Sequence, residues 1–495
     1  MNAYRPYRLE IEGDLVAESP LHVGSGLVWH PATDSPMARV NGSPNQDPSI
    51  PGSSLKGVLK SHLLRECGRL GSTDAEVHRL FGSASGDAGG GQGQLTVYEA
   101  AVIGVSAEEI RDHVRIDANT GAAAEGAKFD EEVVGTGAKF RFVCAFEGDE
   151  EDGDSLRLIQ EALRALQNGE LRLGAHSGIG YGRVRLASVE FRVFHRDDPA
   201  GLGNYLRHRL GVRAALEPNW APPDPSPSDG VPRLQSTSKS LFIFDLLLPF
   251  QGNFLSRASV PPASSAHADA IYFTSQGLPC LRGSSLRGLL RTRAVRICRT
   301  MGVPHCHIDD FFGVAKGQEM GKKSSIEVGE GTICDSSGET ITSAAQIPTV
   351  ELDHVAIDRI TGFAADTQKF SAIALESPFF RAIIRISLGP RELVSLALWG
   401  LLLRDLLEGL RLRAGWATTR GYGELCKARI LSAEFDLLDG AGYPPSPAEV
   451  RAPNSRPGRT QGRWTQPGFD AFGDYWNVAG KAWRECISKA GEEAS

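Results

Sequence analysis

Apolar and polar positions alternate along Arg8–Leu15, and a short apolar run follows the same form at Ser240–Leu248, so both predict β-strands. After each comes a long irregular loop and then a helix that opens on Gly-Ser-Ser. The two helices read IPGSSLKGVLKSHLLR over Ile50–Arg65 and LRGSSLRGLLRTRAVRI over Leu281–Ile297. Gly-rich hairpins follow at Gln94–Val102 and Ser325–Ile333, then strands at Ala138–Phe146 and Phe379–Ile386. A second helix at Asp154–Leu166 and Pro390–Arg411 leads to a last strand at Gly182–Phe194 and Glu424–Leu438. The order β-α-β-β-α-β predicts an α+β, ferredoxin-like core, and the chain spells it twice.

Other phrases repeat in step with these elements. Asp117–Gly121 (DANTG) is echoed by Asp358–Gly362 (DRITG), and Leu173–Val184 (LGAHSGIGYGRV) by Arg413–Leu425 (RAGWATTRGYGEL). The offset stays at about 230–240 residues, which implies an internal duplication and two domains, not a solenoid. The predicted organisation is a first domain over 1–215, a Pro/Ser-rich linker over 216–239 and a second domain over 240–440. A Pro/Arg-rich stretch with a terminal helix fills 441–495. In that last part Phe472, Tyr475, Trp476, Val478 and Trp483 recur at helical spacing, so the segment is expected to dock as a helix.

Composition narrows the function classes. The chain has 495 residues, net charge −7 and eight cysteines without a paired framework, which fits a reduced, cytoplasmic setting. Strand alternation begins at once at Tyr7, so no signal peptide is expected. The longest apolar stretch, Leu393–Leu403, is about 11 residues, too short for a bilayer and suited to a core helix. The acidic balance disfavours a non-specific nucleic-acid binder and leaves room for one whose positive charge lines a single groove.

Candidate chemistry gathers at the repeated phrases. Gly52 and Gly283 permit tight turns, and Ser53, Ser54, Ser284 and Ser285 are candidate caps of the helices they open and, at those helix N-termini, candidate contacts to RNA phosphate. Lys56 with Lys60, and Arg287 with Arg291, stand four residues apart and share a face, either solvated or gripping phosphate. Gly57 and Gly288 sit inside these helices at a cost of about 1 kcal/mol each relative to Ala, easiest to understand if a backbone passes close by. In the glycine-rich loops, Tyr181 and Tyr422 offer faces for base stacking, and Arg183 and Arg420 offer phosphate contacts. A plain helix-to-strand turn is the competing reading there. His305, Cys306 and His307 with Cys298 are a weak zinc candidate against an ordinary loop. Two basic clusters, Arg291/Arg293/Arg296 and Arg456/Arg459/Arg463, either contact RNA or only solubilise.

Together these motifs resemble the RAMP superfamily of CRISPR-associated proteins, most of all the backbone subunits of type III effector complexes. Leu80-Phe81-Gly82 and Phe311-Phe312-Gly313 fill that family's LFG place. The resemblance covers both repeats, so the chain looks like two backbone subunits fused in tandem. It implies two RRM-like RAMP domains with inserted loops and thumb hairpins, the thumbs falling at about 117–134 and 358–377. It further implies guide crRNA, target RNA and other CRISPR effector subunits as partners, with no membrane. The family's catalytic aspartate lies in the loop before the Gly-Ser-Ser turn. Asp34, in Thr33-Asp34-Ser35-Pro36, matches that place, and Asp269, in Ala268-Asp269-Ala270-Ile271, keeps the acid without the proline. Target RNA cleavage with transient Mg²⁺ or Mn²⁺ is the activity implied.

Two alternatives remain open at this point: a catalytically inactive subunit that only binds guide RNA, and a metal-independent guide-processing endoribonuclease with His22 as general base. Aligning Pro20 with Pro249 sets Gln251 opposite His22, and aligning the glycines sets Phe250 there. Either way the histidine is not repeated.

Overall fold

A strand flanked by hydrogen-bonded neighbours on both sides must bury its apolar positions, and the opening strand does so along most of its length. The computed structural model describes residues 5–26, 33–43, 46–83, 91–104, 108–117, 123–149, 152–210, 239–258, 268–314, 321–390, 392–410, 412–444 and 459–493. The linker at 216–238, part of the DANTG phrase and Arg456 lie outside them. The chain divides into two compact units, one built on Met1–His113, Phe129–Ser177 and Tyr181–Thr237, the other on Ser238–Ser495 with Val114–Lys128 and Gly178–Gly180.

The first repeat runs β1 (Tyr7–Ala17), β2 (Ser49–Ile50), α1 (Gly52–Leu70), α2 (Asp74–Phe81), β3 (Leu95–Val97) and β4 (Ala100–Ile103). It continues through β5 (Glu108–Ile116), β6 (Ala123–Val134), β7 (Lys139–Gly148), α3 (Gly153–Gln167), β8 (Val184–His195) and α4 (Pro199–Arg209). Its sheet is ordered β2-β4-β7-β1-β8, with β3 also on β7 and all pairings antiparallel. With β3 and β4 sharing the second position, this is the ferredoxin-like order read from the sequence. Leu9, Ile11, Phe140 and Phe142 are buried in one core with Leu55, Leu59 and Leu63 of α1 and Leu158, Ile159 and Leu166 of α3.

The second unit runs β9 (Ser240–Gln251), β10 (Asn253–Phe254), β11 (Arg257–Ala258), β12 (Ala270–Tyr272), β13 (Thr274–Ser275), β14 (Leu278–Leu281), α5 (Gly283–Met301) and α6 (Cys306–Phe312). It then forms β15 (Ile326–Val328), β16 (Gly331–Cys334), β17 (Thr349–Ile357), β18 (Ala364–Glu376), β19 (Phe379–Leu388) and α7 (Leu393–Glu408). It closes with β20 (Glu424–Leu425), β21 (Arg429–Leu438), β22 (Arg459–Thr465) and α8 (Gly473–Glu493). The same order recurs as β16-β19-β9-β21, with β22 added outside β21. The apolar stretch at Leu393 is the core helix α7, with Trp399 fully buried. The terminal segment docks as α8 on α7, burying Tyr475 and Trp483, and Gly400 leaves room for the Trp476 ring.

Two local expectations change. Both Gly-Ser-Ser helices begin at the glycine itself, after Pro51 and Arg282, and neither has a side-chain cap. Ser53, Ser54, Ser284 and Ser285 therefore sit inside the first turn, beyond the capping position. The glycines are required by packing: a Cβ on Gly52 would lie 2.3 Å from the Val97 carbonyl oxygen, and one on Gly283 2.5 Å from that of Val328. The thumbs also start earlier than the motif. They are the hairpins β5–β6 and β17–β18, and in the second the Asp-x-x-Thr-Gly phrase forms the tip, where Asp358 accepts the N–H groups of Ile360 and Thr361.

Candidate nucleic-acid interface and the aspartate loops

Each aspartate loop is hydrogen-bonded to the returning arm of its own thumb. The Asp34 N–H donates to Asp130 Oδ1 at 2.7 Å, and Asp34 Oδ2 accepts the Asp130 N–H at 3.1 Å. In the second unit Asp269 Oδ2 accepts the Ser371 N–H at 2.8 Å, and the Asp269 N–H donates to the Ser371 carbonyl at 3.0 Å. One residue on, Ser35 bridges to Glu131 in parallel and Ala270 to Ala372. Asp269 is thus the positional counterpart of Asp34 despite the missing proline, and both carboxylates are exposed.

Beneath the first of these junctions lies a polar cluster of which the sequence singled out His22 alone. Glu131 is fully buried, with its oxygens 2.7 Å from His113 Nε2 and 2.9 Å from His176 Nε2. Burial alone raises the proton affinity of the Glu131 carboxyl, but the two imidazoles override it and hold the group down at about 2. His22 Nε2 lies 3.1 Å from Ser35 Oγ, and its Nδ1 2.6 Å from the Glu132 carbonyl. The rings of Phe129, His113 and His176 form a near-parallel stack.

At the same places the second unit is apolar. The His22 carbonyl accepts the Ala175 N–H, and the Leu255 carbonyl accepts that of Trp416, so Leu255 stands where His22 does. Neither Gln251 nor Phe250 does, because Pro249 lies within β9 and not after it. Ala270 replaces Ser35, Ala372 replaces Glu131, and Ala417 replaces His176 at a matching left-handed φ (55° against 61°). Leu255, Ala270, Ala372 and Tyr422 form a small apolar core with Trp416 and Ala417 against it. His354 and Phe370 keep the stacked pair. Comparing the two repeats at Asp-Glu against Ser-Ala after the shared phenylalanine would have exposed this contrast in the sequence.

The residues proposed for RNA contact divide. Tyr181 and Tyr422 are buried, 3% and 4% exposed, so neither presents a face for stacking. Tyr181 OH accepts from Arg111, and Tyr422 OH pairs with His354. Arg183 is buried, 3.7 Å from Glu18, and is not displayed to a ligand. Arg420 is exposed and lies over the rings of Phe370 and Trp416. Of the charged pairs, Lys60 donates to the Gly82 carbonyl at 2.7 Å and Arg291 to that of Gly313 at 3.3 Å. These are the glycines of the two LFG phrases, whose positive φ ends α2 and α6. Arg287 is enclosed by the carbonyls of Ile326 and Phe312 and the Ser324 hydroxyl, and burial lowers its proton affinity to about 10. Lys56 has no hydrogen bond or ion pair among the described residues. Gly57 and Gly288 are exposed, and a Cβ on either meets nothing within 4 Å, so no strand among the described residues explains them.

The zinc candidates do not converge. His305 pairs with Asp309, Cys306 is exposed, and His307 Nε2 faces Cys486 Sγ at 3.3 Å. Of the described residues, Glu10, Glu12 and His208 come close enough to share an ion, but Arg8, Arg141 and Arg192 already neutralise the two carboxylates. The second basic cluster is likewise paired, Arg459 with Asp436 and Arg463 with Glu434, and in the first Arg293 pairs with Asp405. No helix among the described residues is long and apolar enough to cross a membrane.

The RAMP superfamily model matches residues 14–185 and 268–426, more than half of the chain. The chain belongs to the RAMP superfamily. Both RAMP regions contain a Gly-Ser-Ser helix, a thumb and a glycine-rich loop. The CRISPR system Cms endoribonuclease Csm3 of Methanothermobacter thermautotrophicus is 26% identical over 212 residues, covering 37% of this chain and 84% of that protein. A chain of the type III-B Cmr-beta apo-state cryo-EM structure matches at 15% identity with a TM-score of 0.31, covering 37% of this chain and 96% of that one. The family model matches twice along the chain, so this protein carries two RAMP regions in tandem.

Proposed function

We propose that this RAMP protein is a backbone subunit of a type III CRISPR effector that binds guide crRNA through both units and cuts target RNA beside the guide. The observation that carries the reading is the pair of exposed carboxylates, Asp34 and Asp269, fixed at matching register on the base of the two thumbs. Bare helix surface at Gly57 and Gly288, next to Lys56 in the first unit, supports close approach of a phosphate backbone that is not part of this chain. The Csm3 relative, itself named a CRISPR system endoribonuclease, supports RNA cleavage as the chemistry.

Asp34 and Asp130 offer carboxylate oxygens, the hard donors that suit Mg²⁺ or Mn²⁺, whereas at the matching place Asp269 has the Ser371 hydroxyl beside it. Bound there, such an ion supplies positive charge for the phosphate under attack. The residues themselves hold the loop at the thumb base and set the carboxylate towards solvent, where an RNA strand can reach it.

The test is to purify the protein with its natural partners, sequence the RNA that accompanies it, and supply a complementary target. Discrete guides, and two cuts of which Asp34→Ala and Asp269→Ala each remove one, are the expected outcome. Guides without any cut would leave a structural subunit, and cleavage that persists in EDTA would favour a metal-independent processing enzyme.

A further inference from the structure

We propose that His176, oriented by Glu131, is a proton-transfer residue for the RNA cut of the first unit, and that the second unit works without one. The inference rests on the target-cleaving reading above. It starts from a cost. A fully buried carboxylate held between imidazoles is expensive to desolvate, and such clusters are weak sources of stability. The second unit shows that the fold does not need it, because Leu255, Ala270, Ala372 and Ala417 fill the same positions. Nor does placing the aspartate need it, since the Asp269 carboxylate accepts the Ser371 N–H over an apolar core just as Asp34 accepts that of Asp130. What the alanines cannot do is carry a proton.

Within the cluster, His176 is the member suited to that task. Its side chain is 34% exposed, against 12% for His113 and none for Glu131. It sits on the glycine-rich loop at φ 61°, a strained conformation for histidine. His176 Nε2 lies 2.9 Å from a Glu131 carboxylate oxygen, which leaves Nδ1 as the ring nitrogen that can take a proton from a ligand. A carboxylate that fixes the tautomer and stabilises the imidazolium is the arrangement used by general bases. The ring also belongs to the Asp34 junction. Glu131 follows Asp130 along β6, Ser35 follows Asp34 opposite it, and His22 reaches Ser35.

His176 Nδ1 takes the proton of the 2′-hydroxyl while the 2′-oxygen bonds to the adjacent phosphorus. The bond from phosphorus to the 5′-oxygen breaks, and that oxygen leaves with a proton from solvent. The products are a 2′,3′-cyclic phosphate and a 5′-hydroxyl end, and His176 returns its proton to water. In the second unit water must take the first proton.

Two variants of the guide-loaded protein test this, with the second unit's cut as an internal control. His22→Leu, Ser35→Ala, Glu131→Ala and His176→Ala together install the second unit's own residues. The first cut is expected to slow by about 10²-fold or more while the second keeps its rate. A first cut at wild-type rate in that variant overturns the proposal. His176→Gly suits the positive φ and should fold. Its first cut is expected to be slow and restored by added imidazole, and loss without rescue would make the residue structural. If Asp34→Ala removes no cut, the underlying reading fails instead, whatever these variants do.

Discussion

The Asp269 carboxylate accepts the main-chain N–H of Ser371 at 2.8 Å, in the register where Asp34 accepts that of Asp130. The two loops are held alike, yet one presents two carboxylates and the other a carboxylate and a hydroxyl. Ser371→Asp is expected to lower, by several-fold, the Mn²⁺ concentration that half-saturates the second cut, because charge count tunes affinity for hard cations. Asp130→Ser should raise it for the first cut. Metal titrations read cut by cut check both, and unchanged midpoints would remove the neighbouring residue from the ion's surroundings.

Lys60 and Arg291 hold the carbonyls that end α2 and α6. Lys60→Ala and Arg291→Ala should each lower unfolding free energy by about 1–2 kcal/mol, the loss of a charged hydrogen bond, while leaving the salt dependence of guide binding in place. Lys56→Ala should do the reverse, flattening the salt slope by about one phosphate contact without lowering Tm. Denaturation and binding isotherms at several salt concentrations separate the two.

Strand order, helix positions and the duplication were legible because they rest on apolar periodicity and on phrases repeated at near-constant offset. The two aspartates were picked out by the family resemblance, which places an acid in the loop before each Gly-Ser-Ser turn, since a loop aspartate has no periodicity to mark it. Which basic residues are free was not, since Arg287 and Lys56 look alike until Ile326 and Phe312 close around one of them. Tyr181 was misread for the same reason: a glycine-rich loop does not reveal which way its tyrosine turns. The Glu131 cluster joins residues from His22 to His176, and only folding brings them together.

His62 on α1 is 2% exposed, and burial lowers its proton affinity to about 4, against 6.5 for an ordinary histidine, with Glu66 opposing. A group whose folded value is depressed favours the folded state while it is neutral. The contribution is therefore complete above about pH 6.5 and is lost as pH falls towards 4. The expected result is a fall of several degrees in the Tm of the protein over that window. His62→Leu should flatten it, and thermal melts from pH 7.5 to 4.5 read the difference.

Gly57 and Gly288 set two physical expectations against each other. Each is in a helix interior, exposed, with open space where a Cβ would stand. Helix propensity alone makes Gly57→Ala and Gly288→Ala stabilising by up to about 1 kcal/mol apiece. If the bare surface exists for a guide backbone to pass close, the same substitutions should weaken guide binding, and bulkier Gly57→Leu and Gly288→Leu should weaken it further. The signature is opposed movement: higher Tm with lower affinity, and a dissociation rate that rises with side-chain size. Higher Tm with unchanged affinity would mean that nothing approaches these helices closely. The glycines would then be explained by neither packing nor RNA.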